Sequence, residues 1–216
     1  GKGYEALSGY LSSALRLGQF HVLSSALDTI IMRDPLPARY LPLFPSIGDA
    51  LWAEGRSGEA AEVYSRLITA DITDGLTEAS ALRLHSVKDV GNDSRLLRYF
   101  ISDLGDTLRL RAIDSIIQRT PDAWVPRYLK GRILQRLKRF QEALELERSF
   151  SLAESDAHLE AFRLRMEGYA LFRLKHYQDA KVPLWRSLDF DSTEASEEYI
   201  REWIERCDWT SVHPLP

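Results

Sequence analysis

The chain has 216 residues, 44% of them hydrophobic and 28% charged, so it can bury a sizeable core and is not disordered by composition. Its formal charge of -4 argues against the broad basic surface of a nucleic-acid-binding protein. Its longest apolar runs are a few residues, far short of the roughly 20 that a membrane-spanning helix needs, so we expect a soluble segment without membrane insertion.

Helical periodicity runs through almost the whole chain. Apolar residues recur at i, i+3, i+4 and i+7, and no stretch alternates convincingly with period two. Pro35 and Pro121 end helices because proline lacks the amide donor, and Asp156 and Asp191 suit N-cap positions. The sequence therefore predicts an all-α protein. The predicted helices are 4–17, 19–33, 38–54, 58–71, 76–88, 94–104, 106–119, 123–137, 140–153, 157–174, 177–190 and 194–206.

Very short loops separate several of these helices, as at 17–20, 54–58 and 138–140. Two helices joined so tightly lie antiparallel and side by side. One such pair cannot bury its apolar face alone, so successive pairs stack on one another. The expected arrangement is a solenoid of helix pairs.

Nearly the same nine residues occur twice, as LKRFQEALE at 137–145 and LKHYQDAKV at 174–182. A small residue, a turn aromatic and an alanine fall at equal offsets in these two copies: Gly131, Phe140 and Ala143, then Gly168, Tyr177 and Ala180. An earlier copy has Gly48 and Ala60 at the same separation. Small residues at these positions allow two helices to approach closely.

These residues resemble the tetratricopeptide repeat, a helix-turn-helix unit of about 34 residues. The resemblance implies a right-handed α-α superhelix of about five helix pairs within a single domain, 1–216. It also implies that the chain is a protein-binding scaffold. The repeats would be 4–36, 41–74, 124–157 and 161–192, with an irregular segment at 75–122 and a C-terminal capping helix at 193–207.

Catalytic and metal-binding motifs are not found in the sequence, which has no zinc-protease helix, phosphate-binding glycine loop or nucleophile elbow. His158 and Glu160 lie on different sides of a helix, and Asp189 and Asp191 lack the spacing of a calcium loop. The single Cys207 excludes an internal disulfide and a cysteine cluster, and nothing marks it as a nucleophile. We expect a protein that is not an enzyme and that holds no cofactor or metal.

Charge is distributed unevenly along the chain. Residues 124–188 carry 13 basic and 8 acidic side chains, a net +5, whereas 189–216 carry 2 and 8, a net -6. In the resembled family, the first helix of each repeat lines a concave groove. Carried onto this sequence, the groove positions are Val125, Tyr128, Arg132, Gln135 and Arg136, then Phe162, Arg165, Tyr169, Phe172 and Arg173. Because arginine pairs with carboxylates and tyrosine supplies rigid contact area, we expect the partner to be a protein or peptide segment with acidic or carboxylate character.

Several alternatives stay open at this stage. The arginines could simply keep a helix face soluble. The chain opens at Gly1 with a helical pattern already running, so it could be the non-catalytic repeat region of a larger enzyme, such as a membrane-bound or secreted hydrolase. It could also be a self-assembly module, in which the irregular segment or the acidic cap docks on the basic repeats of another copy. RNA binding is disfavoured by the net charge, and the compartment is undetermined.

Overall fold

The computed structural model describes residues 44–69, 74–90, 94–101, 104–153 and 156–213, together with isolated residues between 6 and 22. These residues contain ten α-helices and no strand, which confirms the all-α prediction. In chain order the helices are α1 Phe44–Ala53, α2 Ser57–Thr69, α3 Asp74–Val90, α4 Ser94–Ile101, α5 Asp106–Arg119, α6 Trp124–Arg136, α7 Phe140–Glu147, α8 Ala157–Arg173, α9 Tyr177–Ser187 and α10 Glu194–Val212.

Two helices, α7 and α10, end six residues from their predicted boundaries. Helix α7 ends at Glu147, before the predicted 153, and it does not extend through 152, where the backbone N–H of Leu152 donates to the Glu160 carboxylate at 2.8 Å. Helix α10 continues past 206 to Val212, since no glycine or proline interrupts the chain before Pro214. The predicted helices 4–17 and 19–33, with the repeat 4–36, lie mostly outside the described residues.

The chain divides into two compact units, Gly1–Leu104 and Gly105–Pro216. In the first unit α1 packs against α2, α2 against α3, and α4 against α1. The buried carboxylate of Asp49 accepts hydrogen bonds from the Tyr64 hydroxyl at 2.8 Å and from Arg83 at 2.8 and 3.2 Å. The Arg83 guanidinium in turn lies 4.5 Å from the centre of the Phe100 ring. These contacts tie all four helices to one satisfied buried charge.

In the second unit each helix packs against the next, from α5 through to α10. Helices α6 and α7 form one hairpin, and α8 and α9 form the next. The core of the second hairpin continues into α10, where Ala180 and Leu184 lie in one buried cluster with Ile200 and Cys207. This stacking places α6, α8 and α10 as successive first helices along the unit.

The same turn joins the helices of three pairs. A backbone N–H donates to the carbonyl five residues earlier in each: Arg56 to Leu51, Arg139 to Leu134, and His176 to Leu171, all at 2.9 Å. The residue before each donor has a positive φ: 78° at Gly55, 59° at Lys138 and 67° at Lys175. This is the left-handed ending that most often uses glycine. Two lysines therefore occupy a backbone conformation that suits glycine better.

Close helix approach explains the recurring small residues. In each of three pairs a glycine faces the side chain sixteen positions later: Gly48 with Tyr64, Gly131 with Glu147, and Gly168 with Leu184. A Cβ atom added to Gly168 would lie 2.6 Å from Cγ of Leu184, closer than packing permits. Three alanines at equal offsets are fully buried at the same crossings: Ala60, Ala143 and Ala180.

Candidate protein-binding surface

The predicted groove residues follow one stripe on α6 and another on α8, and their exposure rises toward the C-terminal end of each helix. From first to last they change from buried through half-buried to exposed: Tyr128, Arg132 and Arg136 on α6, and Arg165, Tyr169 and Arg173 on α8. Val125, at the start of α6, is also buried. Only the last turns of these helices present the stripe to solvent.

The first residue of each stripe belongs to the interior of the second unit. Arg165 Nη2 donates to Asp191 Oδ2 at 2.6 Å, and Ser196 Oγ donates to the same oxygen at 2.7 Å. Burial opposes ionisation of Asp191, but the hydrogen bonds from Ser196 and Arg165 outweigh it and hold the carboxyl pKa below its ordinary value. Arg165 thus ties α8 to the loop before α10, while the Tyr128 ring is fully buried. Neither side chain is placed to meet a ligand.

The last two α6 residues of the predicted groove hold neighbouring helices together. Gln135 Nε2 donates to Glu147 Oε1 and to the Met166 carbonyl, both at 2.8 Å, and so links α6, α7 and α8. Arg136 forms a two-pronged contact with Asp106 at 2.8 to 3.1 Å. The hydrogen bond from Arg136 lowers the pKa of the Asp106 carboxyl. These two residues flank the exposed surface and are already engaged.

The two predicted groove phenylalanines are half-buried among other rings. Phe162 meets His158 edge to face at 5.1 Å, and Phe172 meets Tyr177 and Trp203 at 5.2 Å each. Such pairs add about 0.5–1.5 kcal/mol to the burial of the rings. Phe172 thus holds α8 against α9 and α10, whereas the Phe162 contact lies within α8 itself.

An aromatic array runs from the start of α7 across the last turns of α8 to the middle of α10. It consists of Phe140, Tyr169, Trp203 and Tyr199. Successive ring centres lie 6.0, 5.6 and 6.4 Å apart, each pair in an edge-to-face arrangement. Because every ring is braced by the next, the array is a rigid floor for whatever binds above it.

Two exposed arginines, called here the arginine pair, lie on this array. The Arg173 guanidinium carbon is 4.9 Å from the centre of Phe140 and 5.8 Å from that of Tyr169. That of Arg206 is 5.0 Å from the centre of Trp203. Within the part of the chain that the structure describes, neither arginine pairs with a carboxylate. Stacking fixes each guanidinium and leaves N–H donors for an anion.

The members of this surface on α10 were not among the predicted groove residues, because α10 was interpreted only as a cap. The chain's own repeat offset, which is 37 residues from Gly131 to Gly168, carries Tyr169 onto Arg206 and so identifies one of them. It does not identify Tyr199 or Trp203, and the Trp203 ring joins the array through its contact with Tyr169.

A buried carboxyl group lies beneath the surface at Glu147. Its Oε1 accepts from Gln135, while Oε2 has no hydrogen-bond partner among the described residues. Burial, with a further contribution from the nearby Glu167 charge, raises the pKa of Glu147 to about 8. The group is therefore mostly protonated at neutral pH. It occupies the position that Tyr64 and Leu184 occupy in the other pairs.

Two other potentially reactive side chains, Cys207 and Glu160, are buried in the second unit. Cys207 is buried, and burial raises the pKa of its thiol. The Glu160 carboxylate receives two hydrogen bonds from Arg163 at 2.8 Å each. No cluster of potential metal ligands occurs among the described residues. None of the described helices combines the length and apolar character needed to cross a bilayer.

Comparison of the chain with protein-family models, with curated protein sequences and with solved structures gives no match. The resemblance to the tetratricopeptide repeat therefore rests on the recurring spacings of small residues and turns within this chain. Function has to be argued from the surface itself.

Proposed function

We propose that the chain is a protein-interaction module that binds an acidic peptide segment on the aromatic array and arginine pair. Its architecture would be a tetratricopeptide-like, right-handed superhelix of about five helix pairs. The equal glycine and alanine offsets in three helix pairs support this, as does the turn that they share. The proposal assigns no catalytic step to the chain.

The arginine pair is the observation that carries the proposal. Some exposed arginines of the second unit pair with a carboxylate, as Arg136 does with Asp106 and Arg148 does with Glu167. Arg173 and Arg206 are instead held on ring faces. A peptide carboxylate would gain a charge-assisted hydrogen bond from each, worth about 1.5–3 kcal/mol.

The proposed contact surface is narrower than the predicted groove and displaced toward α10. Tyr169, Phe172 and Arg173 stay within it, and Arg132 and Phe162 lie along the same helices at its margin. The largest exposed apolar contribution comes from the aromatic array, which would take an apolar side chain next to the carboxylates. One such anchor with two charged contacts is consistent with micromolar affinity, about -8 kcal/mol.

The test uses three fluorescein-labelled peptides of equal length. One alternates glutamate with phenylalanine, the second has glutamine at every glutamate position, and the third has lysine there. Fluorescence anisotropy should show binding of the acidic peptide alone, and the binding should weaken as salt rises. Equal affinity for the glutamate and glutamine peptides would contradict the acidic preference.

A charge-reversal variant locates the site. Arg173→Glu with Arg206→Glu should weaken binding of the acidic peptide by about tenfold or more. Arg119→Glu with Arg186→Glu is the matched control, since it changes net charge equally at exposed positions on α5 and α9, which carry no member of the array or the arginine pair. Equal losses in both variants would mean that overall charge, and not this surface, attracts the peptide.

A further inference from the structure

The outer face of α10 carries an acidic stripe, Glu198, Glu202 and Glu205, spaced at i, i+4 and i+7. All three side chains are exposed, and among the described residues none of them pairs with a cation. The same face continues into two exposed apolar side chains, Trp209 at 57% and Val212 at 72%. It is thus both charged and locally apolar.

The stability of α10 does not require this row of carboxylates. Carboxylates in the first turn favour the helix dipole, but Glu202 and Glu205 lie well beyond it. Like charges at i, i+3 and i+4 repel one another along a helix. Solubility alone would be served by a mixture of charges, as at Glu197 and Arg201 on the same helix. A docked cationic surface would relieve the repulsion.

Beside the acidic stripe, the two cations of the arginine pair lack carboxylate partners among the described residues. Arg206 follows Glu205 directly in the sequence, yet its guanidinium stacks on Trp203 and pairs with no carboxylate in the described part of the chain. Arg173 likewise stacks on Phe140 and Tyr169. One face of α10 therefore lacks cations, and the adjoining face lacks anions.

We infer that the acidic stripe of one copy docks on the arginine pair of a second copy, with Trp209 packing beside the aromatic array. This assignment rests on the proposed function, because it identifies the acidic segment as part of another copy. Glu202 and Arg206 lie one turn apart on α10, but the Arg206 guanidinium stacks on Trp203 and does not pair with Glu202 among the described contacts. The contact joins unlike surfaces, and both surfaces are present on every copy.

Self-association is measured by sedimentation velocity and light scattering over a range of protein concentrations. At about 50 mM salt the mass should rise with concentration, and at about 500 mM it should return to that of one copy. Saturating acidic probe peptide should also return it to one copy, since the peptide and the stripe compete for the same arginines.

Neutralising variants test which faces meet. Arg173→Gln with Arg206→Gln removes the receiving face, and Glu198→Gln with Glu202→Gln and Glu205→Gln removes the docking face. For each variant alone, the dissociation constant for self-association should rise by about tenfold or more. Mixed together, they retain one intact face each and should form a complex that stops at one copy of each variant. All substituted side chains are exposed, so far-UV circular dichroism should match the original chain.

The outcomes separate this inference from the proposed function. If the original chain stays a single copy at low salt but binds the acidic peptide, the peptide-binding function stands and the self-docking is wrong. If the chain associates and the arginine variant associates equally well, the assigned contact is wrong. If neither association nor peptide binding occurs, both assignments fail.

Discussion

Replacing Glu147 with leucine should stabilise the protein, and the gain should grow with pH. The pKa of Glu147 is about 8 in the folded chain, against an ordinary value of 4.5. Below about pH 4.5 both the folded and the unfolded chain hold the proton, so the residue imposes no ionisation penalty. Between about pH 4.5 and 8 only the folded chain keeps it, and the free energy of unfolding falls by about 1.4 kcal/mol per pH unit.

At pH 7 this loss amounts to about 3 kcal/mol. Replacement by leucine removes this ionisation penalty but loses one hydrogen bond from Gln135, worth about 1 kcal/mol. Gln135 keeps its bond to the Met166 carbonyl. Leucine also fits the position, since Leu184 faces Gly168 as Glu147 faces Gly131. The net gain should be about 2 kcal/mol at pH 7 and near zero at about pH 5.

Urea unfolding of Glu147→Leu and the original chain, followed by circular dichroism at about pH 5, 6, 7 and 8, measures this difference. Glu145→Gln is the control, because it removes a carboxylate from the exposed side of the same helix. Parallel stability curves for Glu147→Leu and the original chain would refute the reasoning, since the carboxyl would then not be held protonated by burial.

Four further substitutions, one of them combined with a second-site change, test the fold. Lys138→Gly and Lys175→Gly should each raise stability by about 0.5–1 kcal/mol, because glycine adopts a positive φ without strain, and thermal unfolding should show a higher midpoint. Gly168→Ala should lower stability by about 1–3 kcal/mol in urea titrations, since its Cβ would meet the facing leucine. Asp191→Ala should cost about 3–5 kcal/mol by leaving Arg165 buried without its carboxylate, and Arg165→Met in the same chain should recover part of the loss.

Helix positions could be predicted from the sequence because they follow from local periodicity and stop signals. The observed α5 spans 106–119, as predicted, and α8 differs from its prediction by one residue. Boundaries that depend on distant partners could not be predicted. After α7 the Leu152 amide bonds the Glu160 carboxylate, eight residues further along the chain, and no local pattern contains that contact.

The solvent exposure of the candidate-site residues was harder to predict than their positions along the helices. The stripe of Arg165, Tyr169 and Arg173 is regular in sequence, yet its first member is buried against Asp191 and its last lies on the surface. Which part of a stripe is covered depends on the loop that follows the next helix. A repeat offset gives the direction of a side chain and does not give its neighbours.

The burial of Glu147 can be recognised in the sequence only by comparing the residues that lie sixteen positions after the glycines of the three helix pairs. The residue sixteen positions after the small residue is Tyr64 in one pair and Leu184 in another, so an acid at that offset is anomalous. The helix pattern alone places Glu147 among ordinary charged residues. Its burial becomes predictable once the three pairs are aligned on their glycines.

Helix α10 covers the preceding hairpin and also carries part of the proposed contact surface. On one face Ile200 and Cys207 lie in a core cluster with residues of α8 and α9. A neighbouring face carries Trp203 and Arg206, which extend the array that Tyr169 begins. Deleting α10 would therefore remove half of the proposed arginine pair as well as exposing the core.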